Sequence, residues 1–466
     1  MALPYRDMWL DLRHDDQARG LRMDRLLPVA CVILALAGCL AATTPEAAPV
    51  RRVILISIDT LRADRLGAYG YPRPTSPVLD RFASDGTRFA TCIAASPWTL
   101  PSHISMLTGL YPARHGAIHV RRPLRTGVPM LSDVLRDQGF RTAAIVASDL
   151  VLPDDRCRRS FEHYHEIDWR GSAPGPWILN TGAEITTEAT TWLETLESED
   201  PFFLFLHYYD VHSDYLAEPR FRTLLGAADD LEPGSSPFLT KNRKDGSVTE
   251  TQRQQAERLY DAEIRQLDTR LGTLFDTLRR LDLWNRTLII VTSDHGEEFQ
   301  EHGRLLHGRA LYEESMHVPL LMRGPGIPQG RVITGLTSHV DITPTILAAT
   351  GATFDTPVDG SSLLPALAGV DTDRPEFVVS EAAHGGKVRM IRTARFKLID
   401  HRDRADELFD LQHDPEERIN IIERERERHA VLARQLASTG RDLPQNPAGR
   451  LTTTDRERLR VLGYVD

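Results

Sequence analysis

Val53-Ile54-Leu55-Ile56-Ser57-Ile58-Asp59 is a run of aliphatic, mostly β-branched residues that stops on an acid. A short apolar run of this kind reads as a strand buried on both faces, the habit of a parallel sheet. Leu288-Ile289-Ile290-Val291-Thr292-Ser293 repeats the design and ends in Asp294-His295-Gly296. Pro201 to Leu206 is another apolar strand, and it delivers His207, Tyr208, Tyr209, Asp210 and His212. Thr142 to Val146 reads as a further strand. From Thr251 to Leu281, Leu259, Ile264, Leu267, Leu271, Leu274 and Leu278 recur at helical spacing, which predicts an amphipathic helix packed on the sheet. The expected fold class is therefore α/β. In an open parallel sheet, ligands collect at the carboxyl ends of the strands, where Asp59, Asp294 and His295 would converge.

Thr99-Leu100-Pro101-Ser102-His103, continuing to Gly109, adds a hydroxyl at a helix entrance. Pro101 suits a first helical position and Gly109 a left-handed stop. A hydroxyl placed there faces the positive end of the helix dipole, a good seat for an anionic ester. Two carboxylates, an imidazole and a hydroxyl form a divalent-metal site suited to manganese, zinc or calcium.

Several stretches together resemble the sulfatase family of the alkaline phosphatase superfamily. Ile58 to Tyr71 is similar to its first metal-binding segment, and Pro101-Ser102-His103 with Leu107 to Pro112 and His115-Gly116 to its nucleophile segment. Ser293 to Glu297, Leu311 to Ser315, Ser338 to Thr345 and Leu408 to Leu411 with Asp414-Pro415-Glu416 also resemble family stretches, as does the run Leu459 to Tyr464. The resemblance runs over about residues 51 to 466. It implies an alkaline phosphatase/sulfatase-like α/β/α sandwich with a smaller C-terminal α+β subdomain. It also implies Asp59, Asp294 and His295 as metal ligands, joined by Thr99 at the nucleophile position, with one divalent ion (Mn, Zn or Ca) as cofactor.

The chain departs from the family pattern at that position. Active members carry Cys or Ser in Cys/Ser-x-Pro-x-Arg and oxidise it to formylglycine. Here Thr99 stands there and His103 replaces the Arg. Thr carries a β-methyl and does not yield an aldehyde by that oxidation, so formylglycine is not expected. The family's Gly-Lys-Trp-His run is also missing, since the sequence continues Ala147-Ser148-Asp149. The only lysines are Lys241, Lys244, Lys387 and Lys397, none in a motif that resembles a catalytic one. Positive charge over a substrate must then come from Arg, His or the metal.

His212 resembles the family's substrate-side His, and His307 stands close to the place where family members often carry a Lys next to the leaving group. An imidazole of pKa near 6.5 donates or accepts a proton close to neutrality, so both are candidate general acids. His103, His212, His307 and Thr99 form the expected catalytic set. Arg62 is expected to orient the carboxylates or the substrate, or to form a surface ion pair. The reading is a metal-dependent hydrolase of a sulfate ester or related phosphate ester. Two alternatives stay open: a Thr-nucleophile phosphodiesterase or phospho-group transferase on lipid or glycan, and a catalytically silent binding protein.

At 466 residues the chain is long enough for one large core and a smaller appended unit. Its net charge of −10 argues against a nucleic-acid partner. Arg22 and Arg25 precede an apolar run from Leu26 to Gly38, too short to span a bilayer and suited to a signal-peptide core. Leu36-Ala37-Gly38-Cys39 resembles the bacterial lipobox, so Cys39 would be lipidated, and the protein exported and anchored to a bacterial membrane, facing periplasm or exterior. The expected division is a signal peptide over 1–39, a tether over 40–50, a catalytic domain over 51–370 and a C-terminal subdomain over 371–466. Gly226 to Val248 is a surface insertion expected near the active-site mouth, and Glu423 to Leu436 a charged helix. Export permits a disulfide between Cys92 and Cys157 without requiring one. The expected substrate is a small-molecule, glycan or lipid ester.

Overall fold

The structure, a computed structural model, describes residues 48–439 apart from 121, 149, 153, 168–180, 244–246, 371–373 and 383–387. The signal peptide, Cys39, most of the tether and the run Leu459 to Tyr464 lie outside the described residues.

The strands are β1 (Arg52–Ile58), β2 (Thr87–Ile93), β3 (Arg141–Val146), β4 (His163–Glu166), β5 (Phe202–Tyr208), β6 (Leu288–Ser293), β7 (Glu298–Phe299), β8 (Leu305–Leu306), β9 (His317–Arg323), β10 (Arg331–Ser338), β11 (Phe377–Glu381), β12 (Val388–Thr393), β13 (Phe396–His401) and β14 (Glu407–Asp410). Four helices matter below: α1 (Thr99–Thr108), α2 (Gly182–Glu194), α3 (Glu250–Arg280) and α4 (Arg426–Ser438).

Eight strands form the central sheet in the order β10-β2-β9-β6-β1-β5-β3-β4. Every residue of β1, β5 and β6 is buried, which explains why their sequences carry no alternation. β1 runs parallel to both β5 and β6, with Ile58 opposite Tyr208 on one side and Ser293 on the other. Asp59 and Asp294 therefore leave adjacent strands at the same edge. The sheet is not wholly parallel as expected: β9 is antiparallel to β2 and to β6. Its near-continuous burial hides that reversal from any hydrophobicity pattern.

A capping box of Thr249 and Gln252 opens α3, and its Leu259, Leu267, Leu271, Leu274 and Leu278 are all buried. A second sheet, antiparallel in the order β11-β12-β13-β14, meets α4 through Leu432 and Leu436, which pack on Val379, Ile391, Leu398 and Leu408. This is the expected mixed α/β architecture with a smaller C-terminal sheet. Cys92 and Cys157 are both free and buried, so the permitted disulfide does not form. No helix among the described residues is long and apolar enough to cross a membrane.

Candidate active site

Asp59 follows β1 directly, and its N–H donates to the Tyr208 carbonyl at 2.9 Å. The next residue, Thr60, sits at φ 57°, a left-handed conformation unusual for a β-branched residue. Its neighbours fix it there. Thr60 Oγ1 donates to the Val211 carbonyl at 3.0 Å, and the Tyr260 hydroxyl, from α3, donates to the Thr60 carbonyl at 2.7 Å. The turn aims the Thr60 N–H at Asp294 Oδ1, 3.1 Å away, which also accepts from the His295 N–H at 2.9 Å.

With Oδ1 of Asp294 committed to backbone donors, its Oδ2 has no hydrogen-bond partner, and neither does Asp59 Oδ1. Both carboxylates are fully buried. His295 completes the trio, its Nε2 lying 3.3 Å from Asp294 Oδ2 and 3.8 Å from Asp59 Oδ1. His295 Nδ1 donates to the Gly296 carbonyl at 3.0 Å, which leaves the lone pair on Nε2, facing the carboxylates. Gly296 has to be glycine. A Cβ there would stand 2.0 Å from the Glu314 carbonyl oxygen.

Thr99 is the first residue of α1, with extended Trp98 as its cap, and its hydroxyl donates to His295 Nε2 at 3.4 Å. Pro101 is thus the third helical residue, not the first as expected. It is still harmless, because the third position also lacks an intrahelical N–H bond. Gly109 ends the helix at φ 70°, as expected.

Burial and the charge of Asp294 push the Asp59 carboxyl well above its usual range. Burial works in the same sense on Asp294, but His295, His103 and His207 outweigh it and hold that group down to about 2. Two buried carboxylates with unpartnered oxygens, an imidazole lone pair and a hydroxyl make a hard, anionic donor set, which fits a divalent cation. Asp59, Asp294 and His295 could hold it, with Thr99 beside them.

His103 has both ring nitrogens engaged inside the protein. Nδ1 donates to the Thr99 carbonyl at 2.8 Å, and Ser57 Oγ donates to Nε2 at 2.8 Å. Burial pushes its pKa down to about 3. His212 donates from Nδ1 to the Ser213 carbonyl at 2.8 Å, stacks on Tyr209 at 4.4 Å, and has a buried Nε2 without a hydrogen-bond partner. His307 donates from Nδ1 to Glu297 Oε1 at 2.9 Å, and its ring centre lies 4.4 Å from that of His295 and 5.0 Å from that of His212. The expected pKa near 6.5 does not hold for either. Burial and the neighbouring His307 bring His212 to about 3, while burial, His295 and Arg243 take His307 well below its usual value.

Arg62 is committed to partners other than Asp59 and Asp294. It is buried, bidentate to Asp64 at 2.8 and 2.9 Å, and its Nη1 donates to the Glu297 carbonyl at 2.9 Å. Lys397 is buried in the second sheet against Glu313 and Glu417.

Four groups carry the site without having been singled out in the sequence. His207 donates from Nε2 to Asp59 Oδ2 at 3.2 Å. Glu297 orients His307 and accepts from the Tyr215 hydroxyl at 2.9 Å. Tyr260 locks the Thr60 turn. Arg243, from the 226–248 segment, donates to the His307 carbonyl at 2.5 Å, so that segment does reach the site. A His directly following an apolar strand run, and an acid in Asp-His-Gly-Glu, were the available signals.

The family described as Sulfatase matches residues 51–352, and the family described as N-sulphoglucosamine sulphohydrolase, C-terminal, matches residues 300–442. The choline-sulfatase of Rhizobium meliloti (strain 1021) is 29% identical over 405 residues, covering 75% of this chain and 78% of that protein. A protein solved in complex with its substrate D-glucosamine-2-N,6-O-disulfate superposes with a TM-score of 0.70 at 20% identity, over 89% of this chain and 98% of that one. The phosphonate monoester hydrolase of Agrobacterium radiobacter gives 0.70 at 22% identity, over 84% and 95%.

Proposed function

The chain belongs to the sulfatase family of ester hydrolases, and from that membership we propose that it is a metal-dependent hydrolase of a sulfate ester or a related phosphorus-centred ester, with Thr99 as nucleophile. The observation that carries the reading is the pair of unpartnered carboxylate oxygens, Asp59 Oδ1 and Asp294 Oδ2, gathered with His295 Nε2 beside the Thr99 hydroxyl. Asp59, Asp294, His295 and Thr99 would hold a divalent ion, which would supply Lewis-acid charge at the ester and favour the ionised Thr99 hydroxyl.

Thr99 Oγ1 attacks sulfur or phosphorus in line. The ester bond to the leaving alcohol breaks, and the group stays on Thr99 as a covalent ester until water displaces it. The first turn of α1 adds backbone N–H donors and a positive dipole end under the anionic group.

The leaving oxygen needs a proton. His307 is placed for that task because Glu297 accepts from its Nδ1, which orients the ring and stabilises its protonated form. Both His307 and His212 are neutral in the ligand-free site, so the proton passed to the leaving oxygen is the one the Thr99 hydroxyl gives up on ionising, taken up by His307 as the charge of the bound anionic substrate favours the imidazolium. His103 is a positioning residue in this account. It ties the carbonyl of Thr99 to Ser57 on β1 and leaves no nitrogen for substrate.

Relatives named for choline sulfate and for phosphonate monoesters support sulfur- and phosphorus-centred esters of small alcohols or sugars as the substrate class. The lipobox-like Leu36 to Cys39 supports an exported, lipid-anchored protein, and the second sheet beginning at Phe377 supports a C-terminal subdomain from about residue 371.

The test is turnover of nitrophenyl sulfate, phosphate, phosphonate and phosphodiester by metal-stripped protein reloaded with Mn, Zn or Ca. Metal-dependent release from at least one ester supports the reading. Acceleration of release by added alcohols, with the alcohol appearing in the product, would favour the transferase. No release from any of them in any metal supports the silent binding protein.

A further inference from the structure

A second group of metal-ligating atoms lies outside the catalytic cluster, on the far edge of the central sheet. His163 and His165 stand two residues apart on β4, the edge strand, so they share one face, while Tyr164 between them faces the other way beneath Arg158. Glu188 reaches them from α2. Its Oε1 lies 3.6 Å from His163 Nε2 and 3.5 Å from His165 Nδ1, and the three ligand atoms fall within 4.8 Å of one another.

These separations exceed the roughly 2.7 to 3.2 Å of a well-formed N–H···O hydrogen bond. They suit an ion between the atoms. A tetrahedral zinc site with bonds of about 2.0 to 2.1 Å has ligand-to-ligand edges of about 3.3 to 3.4 Å, a few tenths of an ångström from both imidazole–carboxylate gaps. His163 Nε2 is buried at the atom level and has no hydrogen-bond partner, a cost that a bound cation removes. The two rings are nearly parallel, 19° apart, so both present nitrogens along one rim. The side chains are 40%, 41% and 29% exposed, which keeps the trio open to an ion from solution.

We propose that His163, His165 and Glu188 form a second metal site, selective for a zinc-class transition ion, that clips edge strand β4 to α2. Two imidazoles and one carboxylate favour such ions over calcium or magnesium, which take oxygen ligands. Water fills the fourth position. The clip bears on the catalytic end of the sheet. Thr181, the residue capping α2, donates from Oγ1 to Asp210 Oδ2 at 3.1 Å, two residues before His212.

The test is the number of zinc ions held per chain by the full-length protein after stripping and dialysis against limiting free Zn2+, together with visible absorption after Co2+ loading. Wild type is expected to hold one ion more than H163A/H165A and to show a tetrahedral Co2+ band that the variant lacks. Glu188→Gln, which keeps the side chain's shape, guards against misfolding of the double variant and is expected to lose the same ion. Asp294→Ala separates this claim from the catalytic one, since it removes the other ion and leaves the Co2+ band of this site. Equal zinc content and equal Co2+ spectra in wild type, H163A/H165A and Glu188→Gln would overturn the proposal. So would retention of a His163/His165-dependent ion that Ca2+ or Mg2+ displaces at equal concentration.

Discussion

Thr99 Oγ1 and His295 Nε2 lie 3.4 Å apart, with the hydroxyl donating to a ring nitrogen whose partner atom is already bound to the Gly296 carbonyl. A nucleophile in that position shares its charge environment with Asp59 and Asp294. Thr99→Ala is therefore expected to lower kcat by 100-fold or more, about 3 kcal/mol of barrier. Thr99→Ser keeps the hydroxyl and is expected to keep most of the turnover. Steady-state kinetics on the best nitrophenyl ester checks both.

Asp59→Asn and Asp294→Asn each remove a charge from the cluster. Both are expected to lose the bound divalent ion at the catalytic site, read by elemental analysis, and to lose activity with it. Asp59→Asn can still accept from His207 Nε2–H, but only with its amide NH2 turned to the place of the other carboxylate oxygen. Restoration of activity by excess metal in Asp59→Asn, but not in Thr99→Ala, separates loss of affinity from loss of the nucleophile.

His103→Ala leaves the Ser57 hydroxyl and the Thr99 carbonyl without their partner in a fully buried space. The expected cost is about 1 to 3 kcal/mol for each stranded group, seen in urea unfolding. A positioning role predicts that kcat falls with little change in its pH profile. A shifted pH profile would instead mark His103 as a proton-transfer group.

His307→Gln is expected to slow esters with poor leaving groups by about 100-fold or more while sparing nitrophenyl esters, whose leaving group needs no proton. Glu297→Gln is expected to act in the same direction and more weakly. Equal loss on both kinds of ester would contradict the general-acid assignment.

His302 predicts a pH effect on stability. Nδ1 donates to Glu314 Oε1 at 2.7 Å and Nε2 donates to the Glu417 carbonyl at 3.1 Å, so both nitrogens carry protons and the ring is an imidazolium. It stacks on Tyr312 at 3.6 Å. Burial pulls its pKa down, but the bond to Glu314 and the charges of Glu314 and Glu417 raise it above its ordinary value. A raised folded-state pKa contributes stability that is fully present below the unfolded value of about 6.5 and is lost as pH rises through the folded value. The Tm difference between wild type and His302→Gln should thus be larger near pH 6 than near pH 9.

The strands bearing Asp59 and Asp294 were legible because a strand buried on both faces leaves an unbroken apolar run. Thr99, Asp59, Asp294 and His295 were legible together through family resemblance. The reversal of β9 was not, since burial erases the periodicity that would mark its neighbours. His103 looked like a catalytic imidazole because sequence gives residue type and not the direction in which a side chain points. Glu297, His207 and Tyr260 escaped for a related reason. Their work depends on partners more than a hundred residues away for His207 and Tyr260, and on a turn of the chain for Glu297.

The central claim is a covalent ester on Thr99, and the direct measurement is mass spectrometry of protein quenched during turnover of the best substrate. A sulfuryl or phosphoryl adduct is expected on the peptide containing Thr99, formed in the metal-loaded enzyme and absent from Thr99→Ala. Full turnover by Thr99→Ala, or an adduct on another residue, would contradict it.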